Sequence, residues 1–247
     1  MGLLSAGITD IGKKRKTNQD SIYMNPEKHI FIVADGMGGH NGGDIASSMA
    51  IKHIPEYIIE HFDDDPLTIS LSSFKSANEA IKVKSNTSPL FKGMGTTAVS
   101  LYFKGPNVYI ANVGDSRAYL VHKKNYFQLT KDHSLVQEKI NLGIYTREDG
   151  ANDPNKNVLV RAVGFEDKIS IDVFTYKVCR GDIFLICSDG LHGMVHDSDI
   201  LEVINHYIKD PLTVTKEELS KALNVLINFA NNNGGNDNIS VIMIVAR

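Results

Sequence analysis

Apolar residues in this chain follow two patterns, short β-like runs and longer stretches with a helical period. Turn residues bound the short runs, which is typical of strands. We predict strands over residues 3–9, 20–24, 30–33, 96–103, 108–113, 118–122, 126–129, 168–178, 183–187 and 239–245. Where short connections join successive strands, we expect antiparallel pairing.

The longer stretches predict two pairs of helices. The first helix has an apolar face and a kink at Pro55; this face is made of Ile51, Ile54, Ile58 and Phe62. The second starts at Asp65-Pro66 and has the apolar positions Leu67, Leu71, Phe74 and Ile81. The other pair is predicted near 198–208 and 216–230, with Thr215 and Glu218 placed as a capping box. Runs of strands with pairs of helices predict an α+β fold, with helices layered over antiparallel sheets.

Length alone leaves the number of domains open. At 247 residues the chain can bury a full core, and this length fits one large domain as well as two. Because no repeat or linker indicates two, we expect a single domain over 1–247. The polar, irregular segment 131–157 is predicted to be a surface flap. With 42% hydrophobic residues there is still no apolar run approaching the roughly 20 residues of a membrane span. We therefore expect no membrane insertion.

The charge distribution and the N-terminal segment limit the kinds of partner and the cellular location that we expect. The net charge of -3 comes without a basic block, so we expect no nucleic-acid partner. The N-terminal apolar residues precede the basic ones, the reverse of a secretory signal. We expect a cytoplasmic protein that is a monomer and stands alone.

The cysteines and histidines are predicted to be structural. Cys179 and Cys187 have no metal-site spacing and no arginine six residues on, so we expect two buried small hydrophobes and no cysteine nucleophile. His133 is predicted to be a hydrogen-bonded residue at the flap base. His192 and His196 are expected at the surface or at helix ends.

Candidate chemistry begins in the segment Ile30 to Gly43, which reads IFIVADGMGGHNGG. Its apolar run ends in Asp35-Gly36, so a carboxylate and a bare backbone stand at the end of a strand. The glycines let the backbone approach a ligand or ion closely. Alone, this segment fits a flexible loop equally well.

Further aspartates stand at similar places, at the ends of β-like segments or just before them: Asp20, Asp115, Asp189 and Asp237. Gathered at one sheet edge, such carboxylates would repel one another, and they would have to raise their pKa values or recruit a cation. Oxygen ligands favour hard ions, so the predicted cation is Mn²⁺ or Mg²⁺.

The whole motif set resembles one family. It comprises Arg15-x-x-Asn18-Gln19-Asp20, Asp35-Gly36-Met37-Gly38-Gly39-His40, Met94-Gly95-Thr96-Thr97, Val113-Gly114-Asp115-Ser116-Arg117, Thr130-Lys131-Asp132-His133-Ser134, Arg161-Ala162-Val163-Gly164, Ser188-Asp189-Gly190-Leu191 and Asp237-Asn238-Ile239-Ser240. This set resembles the PP2C (PPM) metal-dependent serine/threonine protein phosphatases, particularly the bacterial members. The resemblance implies a four-layer α-β-β-α sandwich, two antiparallel sheets flanked by helix pairs, with a metal centre at one end.

The resemblance also implies roles for individual residues. Asp35 is similar to the carboxylate that bridges two metals, and the Gly36 carbonyl to a ligand of one of them. Asp189 and Asp237 are similar to ligands of the other metal. Asp20 resembles the carboxylate that orients metal-bound water. Asp115 resembles the aspartate that shares a third metal with the Ser-Asp-Gly aspartate.

For the substrate, the resemblance implies that Arg15 holds the phosphate, which suits a guanidinium that can bind two oxygens. Phosphorylated proteins, substrates of a serine/threonine kinase, are the implied partners. The implied reaction is attack by a water that two metals activate, without a covalent intermediate.

Two positions depart from the family pattern. Gln19 stands where some members have a glutamate, and Met37 where eukaryotic members have a histidine proposed as general acid. We do not transfer that role to His40.

Two other functions stay open. One is a non-catalytic module with the same fold, which would have lost a carboxylate. The other is an unrelated metal hydrolase acting on a small phosphoester.

Overall fold

The structure is a computed structural model that describes residues 2–38 and 42–247. Gly39 and His40 of the glycine-rich motif lie outside the described residues.

The strands, in chain order, are β1 (Leu3–Asp10), β2 (Asp20–Asn25), β3 (Ile30–Met37), β4 (Gly95–Thr96), β5 (Ala98–Lys104), β6 (Asn107–Val113), β7 (Arg117–His122), β8 (Asn125–Gln128), β9 (Asp172–Lys177), β10 (Ile183–Cys187) and β11 (Ile239–Ala246). They form two antiparallel sheets. The first has the order β1-β11-β10-β7-β8, and the second has the order β2-β3-β5-β6-β9, with β4 paired to β3.

The helices are α1 (Gly43–Glu60), α2 (Pro66–Ser85), α3 (Leu135–Asn141), α4 (Arg147–Asn152), α5 (Asp189–His192), α6 (Asp197–Tyr207) and α7 (Lys216–Asn232). The pair α1 and α2 packs on the second sheet, and α5, α6 and α7 pack on the first. The predicted four-layer sandwich is thereby confirmed. Among the described helices, none is long and apolar enough to span a membrane.

Side-chain alternation along the strands divides the interior into three apolar layers. In β11, Val241 and Met243 face the helices of the first sheet, while Ile242 and Ile244 face the second sheet. The layer between the sheets is completed by side chains such as Phe31, Val33, Val99, Leu101, Phe184 and Ile186. Both faces of β11 are therefore covered, and this strand is buried along its full length.

The local signals at the helix ends act as predicted. The side chain of Asp65 accepts a hydrogen bond from the amide of Thr68, and Pro66 occupies the first turn of α2. Thr215 and Glu218 form the reciprocal capping box of α7. Because these interactions satisfy amides that the helix itself leaves unpaired, they define where each helix begins.

Several predicted boundaries were wrong. Phe62 lies beyond the end of α1, and Leu67 is exposed. The buried face of α2 mixes large apolar residues with small and polar ones: Ile69, Ser70, Ser73, Phe74, Ala77, Asn78 and Ile81. The strand predicted over 168–178 is confined to β9. Periodicity did not predict the single-turn helix α5, which is too short to show a period.

The cysteine prediction is half confirmed. Cys187 is fully buried in β10, as expected of a small hydrophobe. Cys179 is exposed, because it lies in the turn between β9 and β10 rather than within a strand.

Candidate metal centre

The structure gathers the motif aspartates at one end of the two sheets. Asp20 begins β2 and is paired directly with Asp35 in β3. Asp189 follows β10, Asp237 precedes β11, and Asp115 lies in the turn between β6 and β7. Positions far apart in sequence thus meet, because the strands that carry them are neighbours within each sheet and face each other across the sandwich.

Asp35 is the centre of this aspartate cluster. Its carboxyl group is within hydrogen-bonding reach of both Asp20 and Asp189. It also experiences the charges of Asp115 and Asp237. A carboxylate with acidic neighbours on several sides is well placed to share a cation with them.

Burial and mutual repulsion raise the pKa values across the aspartate cluster. Burial, followed by the charges of Asp20 and Asp189, raises the pKa of Asp35 well above its ordinary value. Burial also raises the pKa of Asp20 to about 6, although hydrogen bonds from Ser188 and Ser240 oppose this shift. Each anion is therefore costly in the absence of a compensating positive charge.

The pKa values of Asp115 and Asp189 are raised as well. Burial, then the charge of Asp132, raises the pKa of Asp115 to about 7. Burial and the charge of Asp115 raise the pKa of Asp189 to about 8. Asp189 Oδ1 is buried and has no hydrogen-bond partner among the described residues. Buried polar atoms are nearly always paired, so this oxygen indicates a missing positive partner.

Gly36 lies where β3 passes the start of α1. Its amide donates to the carbonyl of Gln19 at 3.1 Å. A Cβ added to Gly36 would lie 1.9 Å from the carbonyl oxygen of Gly43. Only glycine permits this approach, which leaves the backbone beside Asp35 uncovered by a side chain of its own.

Arg15 reaches the same end of the sheets and forms an ion pair with Asp237, at 2.6 Å between Nη2 and Oδ2. Asp237 also accepts a hydrogen bond from the amide of Asn238 at 2.8 Å. The hydrogen bond to Asp237 raises the pKa of Arg15, with Asp35 and Asp189 contributing through their charges. The guanidinium is half exposed, so an anion arriving from solvent can reach it.

Sequence reasoning assigned no role to a set of small polar residues that hold the aspartates in place. Ser188 donates from Oγ to Asp20 Oδ2 at 2.7 Å and accepts from the amide of Ser240 at 3.0 Å. Asn238 accepts from the amide of Gln19 and donates to the carbonyls of Ile11 and Thr17. Ser188, Asn238 and Ser240 all lie in the quoted motifs, beside the aspartates, and that adjacency was the available signal.

The base of the flap is joined to the turn that carries Asp115. Gly114 donates its amide to His133 Nδ1 at 3.1 Å, and the amide of His133 donates to the carbonyl of Gly114 at 2.9 Å. Arg161 contacts His133 Nε2 at 3.2 Å and Asp172 at 3.0 Å. His133 is therefore buried and hydrogen-bonded, as predicted.

His192 takes the second of its two predicted places, a helix end, without being fully exposed. It is half-buried at the end of α5, and its Nε2 lies 3.0 Å from the carbonyl oxygen of Asp115. Burial lowers the pKa of His192 to about 3, so the ring is neutral at physiological pH and donates to that carbonyl. His196, by contrast, is exposed at the start of α6, as expected.

The donor set fits a hard divalent cation. Among the described residues it consists of carboxylate oxygens and an accessible backbone, without a thiol or imidazole at its centre, and Mn²⁺ and Mg²⁺ prefer such oxygens. The unpaired Asp189 oxygen and the raised pKa values show that positive charge would be stabilised here. A sandwich of two antiparallel sheets that presents such a cluster at one end defines a class of protein, the metal-dependent hydrolases.

Comparison with known proteins places the chain within that class. The family model described as Protein phosphatase 2C matches residues 9–139. The serine/threonine phosphatase Stp of Listeria innocua is 38% identical over 243 residues, which cover 96% of this chain and 93% of that protein. The chain belongs to the protein phosphatase 2C family.

Solved structures agree with this placement. The serine/threonine phosphatase PstP/Ppp of Mycobacterium tuberculosis superposes with a TM-score of 0.90 at 30% identity, covering 99% of each chain. The catalytic domain of PstP in complex with two manganese ions superposes with a TM-score of 0.86 at 30% identity, covering 98% of this chain and 97% of that one.

Proposed function

We propose that this protein is a metal-dependent phosphatase that hydrolyses phosphoserine and phosphothreonine in phosphorylated proteins. The observation that carries the proposal is the position of Asp35, within hydrogen-bonding reach of Asp20 and Asp189 at a buried sheet end. A non-catalytic relative would have lost part of this cluster, whereas here every motif aspartate is present at the same end of the sheets.

The same residues would hold two Mn²⁺ or Mg²⁺ ions. Asp35 would bridge them, with the Gly36 carbonyl on one side and with Asp189 and Asp237 on the other. Asp20, which Ser188 already orients by hydrogen bonding, would complete the shell through water. When bound, such ions neutralise charge on phosphoryl oxygens and make water a stronger nucleophile at neutral pH. Asp115 would hold a third, weaker ion beside Asp189.

Arg15 would bind the substrate phosphate. Its half-exposed guanidinium lies next to Asp237, so a phosphate can form charge-assisted hydrogen bonds with it beside the metal ligands. Neither Gln19 nor Met37 supplies a titratable proton donor for the leaving alkoxide, so solvent water at the centre would protonate it. The two cysteines take no part, since Cys187 is buried in the core and Cys179 lies beyond the opposite end of β10.

The flap at 131–157 would select protein substrates. Its helices α3 and α4 pack on each other around Val136 and Gly150, while Leu142 and Ile144 are exposed. Exposed apolar side chains on a loop attached to a rigid sheet are suited to contact a protein surface. We place this flap within a single domain spanning 1–247, and we propose a cytoplasmic monomer that opposes a serine/threonine kinase.

Phosphate release from a phosphothreonine peptide and from a nucleotide, each with and without Mn²⁺, tests the proposal. We expect hydrolysis of the peptide only with metal, its loss in EDTA, and a large loss in the Asp237→Asn variant with the fold retained. Full activity after metal stripping would exclude the mechanism. Hydrolysis of the nucleotide alone would point to a small-molecule phosphoesterase, and inactivity toward both would point to a binding module.

A further inference from the structure

A second cluster of ligand side chains lies at the opposite end of the first sheet from the aspartates. His122 ends β7, and Asp182 immediately precedes β10; the register that pairs Val121 with Ile183 places them side by side. His122 Nδ1 lies 2.6 Å from Asp182 Oδ1. The five residues of β10 separate Asp182 from the aspartate cluster by roughly 17 Å, at about 3.3 Å per residue.

The turn before β10 adds a thiol. The amide of Asp182 donates to the carbonyl of Cys179 at 3.1 Å, and the amide of Cys179 donates to Asp182 Oδ2 at 2.8 Å. Gly181, with φ of +91°, permits this tight Cys-x-x-Asp turn. As a result, one ligand atom from each of His122, Cys179 and Asp182 lies within 4.8 Å of the other two.

The surroundings of this cluster suit a bound ion. The carboxylate of Asp182 is only 1% exposed, whereas Cys179 is exposed and leaves a path from solvent. Tyr176 in β9 lies near Asp182 and Cys179 and interacts electrostatically with both. One thiolate, one carboxylate and one neutral imidazole would balance the charge of a divalent cation, so burying the ion would leave no net charge.

We propose that His122, Cys179 and Asp182 form a zinc site that is separate from the aspartate cluster. Zinc takes nitrogen, sulfur and oxygen ligands in a four-coordinate shell, with Tyr176 or water available as the fourth. Thiolate and imidazole are poor ligands for Mg²⁺ and Mn²⁺, so the two ends of the molecule would take different metals. The ion takes the place of the hydrogen bond between His122 Nδ1 and Asp182; the neutral imidazole keeps its proton on Nε2, and the Cys179 thiol releases its proton to solvent.

The pair of His122 and Asp182 needs only a small adjustment to accept the ion. Zinc bonds of about 2.0–2.1 Å to nitrogen and oxygen at a tetrahedral angle separate the two ligand atoms by about 3.3 Å. His122 is half-buried at a strand end beside a turn, and its side chain can make that movement without shifting the sheet. The site would join the end of β7 to the turn after β9, and zinc would stabilise the folded state by binding it selectively.

Cobalt provides the test, because a thiolate ligand to Co²⁺ produces a charge-transfer absorption that oxygen ligands do not. In the full chain, reduced and then saturated with Mn²⁺, added Co²⁺ is expected to produce this band, and one equivalent of Zn²⁺ is expected to abolish it. Cys179→Ser is expected to lose the band and keep Mn²⁺-dependent phosphatase activity. Cys187→Ala, which removes the other thiol, is the matched control and is expected to keep the band.

Two further measurements complete the test. His122→Ala is expected to weaken zinc binding by at least about tenfold, the loss typical of disturbed metal ligation. In the wild-type protein, Zn²⁺ is expected to protect Cys179 from alkylation and to raise the melting temperature, an increase that Cys179→Ser should lack. Absence of the cobalt band in the wild type, or its survival in Cys179→Ser, would overturn the proposal.

Discussion

Single residues in this molecule have functions that depend on one or two neighbours. Arg15 shows this best. In the sequence it stands within a basic stretch, Lys13 to Lys16, and only the family resemblance distinguished it from its neighbours. In the structure it reaches Asp237 and experiences Asp35 and Asp189. Its guanidinium therefore belongs to the aspartate cluster, while the neighbouring lysines do not share that contact.

Replacing Arg15 is predicted to affect substrate more than metal. Arg15→Ala should lower kcat/KM for a phosphopeptide by about 10- to 100-fold, since a hydrogen bond to a charged group contributes about 1.5–3 kcal/mol. Most of this loss should appear as a higher KM. Arg15→Lys, which keeps the charge without the planar fork, should recover only part of it. Mn²⁺ titration is the control, and loss of metal affinity with an unchanged KM would contradict the assignment.

The neighbours of Asp115 decide between two roles for it, a turn residue and a metal ligand. A turn aspartate commonly bonds its own backbone, but here burial and Asp132 raise its pKa to about 7 and His192 holds its carbonyl. We predict that Asp115→Ala keeps the two core ions, loses a weaker third one and lowers phosphopeptide turnover.

Calorimetric titration with Mn²⁺ checks the Asp115 prediction. Asp167→Ala removes an exposed carboxylate and serves as the matched control. Unchanged stoichiometry together with unchanged turnover would leave Asp115 as a turn residue only.

At the scale of elements, the position of α1 relative to β3 shapes the aspartate cluster. This position depends on the close approach of Gly36 to Gly43, because no side chain fits between them. Backbone contact at this point keeps the end of β3 beside Gln19 and next to Asp20, which is paired with Asp35. A change at Gly36 therefore acts on two elements together.

Gly36→Ala is predicted to lower both stability and Mn²⁺ affinity. The added methyl would clash with the Gly43 carbonyl, and overpacking of this kind costs typically about 1–3 kcal/mol. For a chain of this size, each kcal/mol lowers the melting temperature by roughly 2–4 °C. Gly2→Ala, where an added Cβ meets only ordinary contacts, is the control. An unchanged melting temperature would show that β3 and α1 separate at little cost.

At the scale of the whole molecule, two sheets and their helices bring mutually repelling carboxylates together and bury them. The folded protein without metal therefore binds protons more tightly than the unfolded chain. The pKa of Asp20 is raised to about 6 and that of Asp189 to about 8, from an ordinary value of 3.8. Stability from a raised pKa is fully present below the unfolded value and is lost as pH rises through the folded value.

In EDTA, the free energy of unfolding is consequently predicted to fall as the pH rises from about 4 to about 8. Saturating Mn²⁺ should oppose this fall, because the ion binds the ionised carboxylates of the folded state. Urea unfolding at a series of pH values measures both. Asp189→Asn removes one of the titrating groups and should flatten the curve in EDTA. Equal pH dependence in the variant and the wild type would mean that the cluster does not govern stability.

Much of this architecture was predictable from local pattern. The strands β1, β10 and β11 lie close to their predicted bounds, because alternation and turn residues are local signals. The capping box of Thr215 and Glu218 is local as well. The motif spacing also identified the family, and the prediction of aspartates at strand ends led to a hard-metal centre.

Other features depended on chain segments that are distant in sequence. The predicted buried face of α2 was wrong at Leu67, which is exposed. Small residues such as Ala77 and Ser73 are buried instead, and their hydrophobicity does not distinguish them as core residues. The predicted burial of Cys179 was wrong, because this residue lies in the turn between β9 and β10 and local pattern does not show where that turn begins. The support of Asp20 by Ser188 joins residues that are 168 positions apart, and no local pattern encodes that contact.

The sequence by itself determined the family, the order of strands and helices, and the aspartates available for metal, since each follows from spacing along the chain. The tertiary structure decided which of these groups meet. It brought Asp35 between Asp20 and Asp189, paired Arg15 with Asp237, and joined His122 to Cys179 and Asp182 at the other end of the sheet. The physical reason is that strand register and sheet packing, which fix distances between remote residues, arise only when the whole core is buried together.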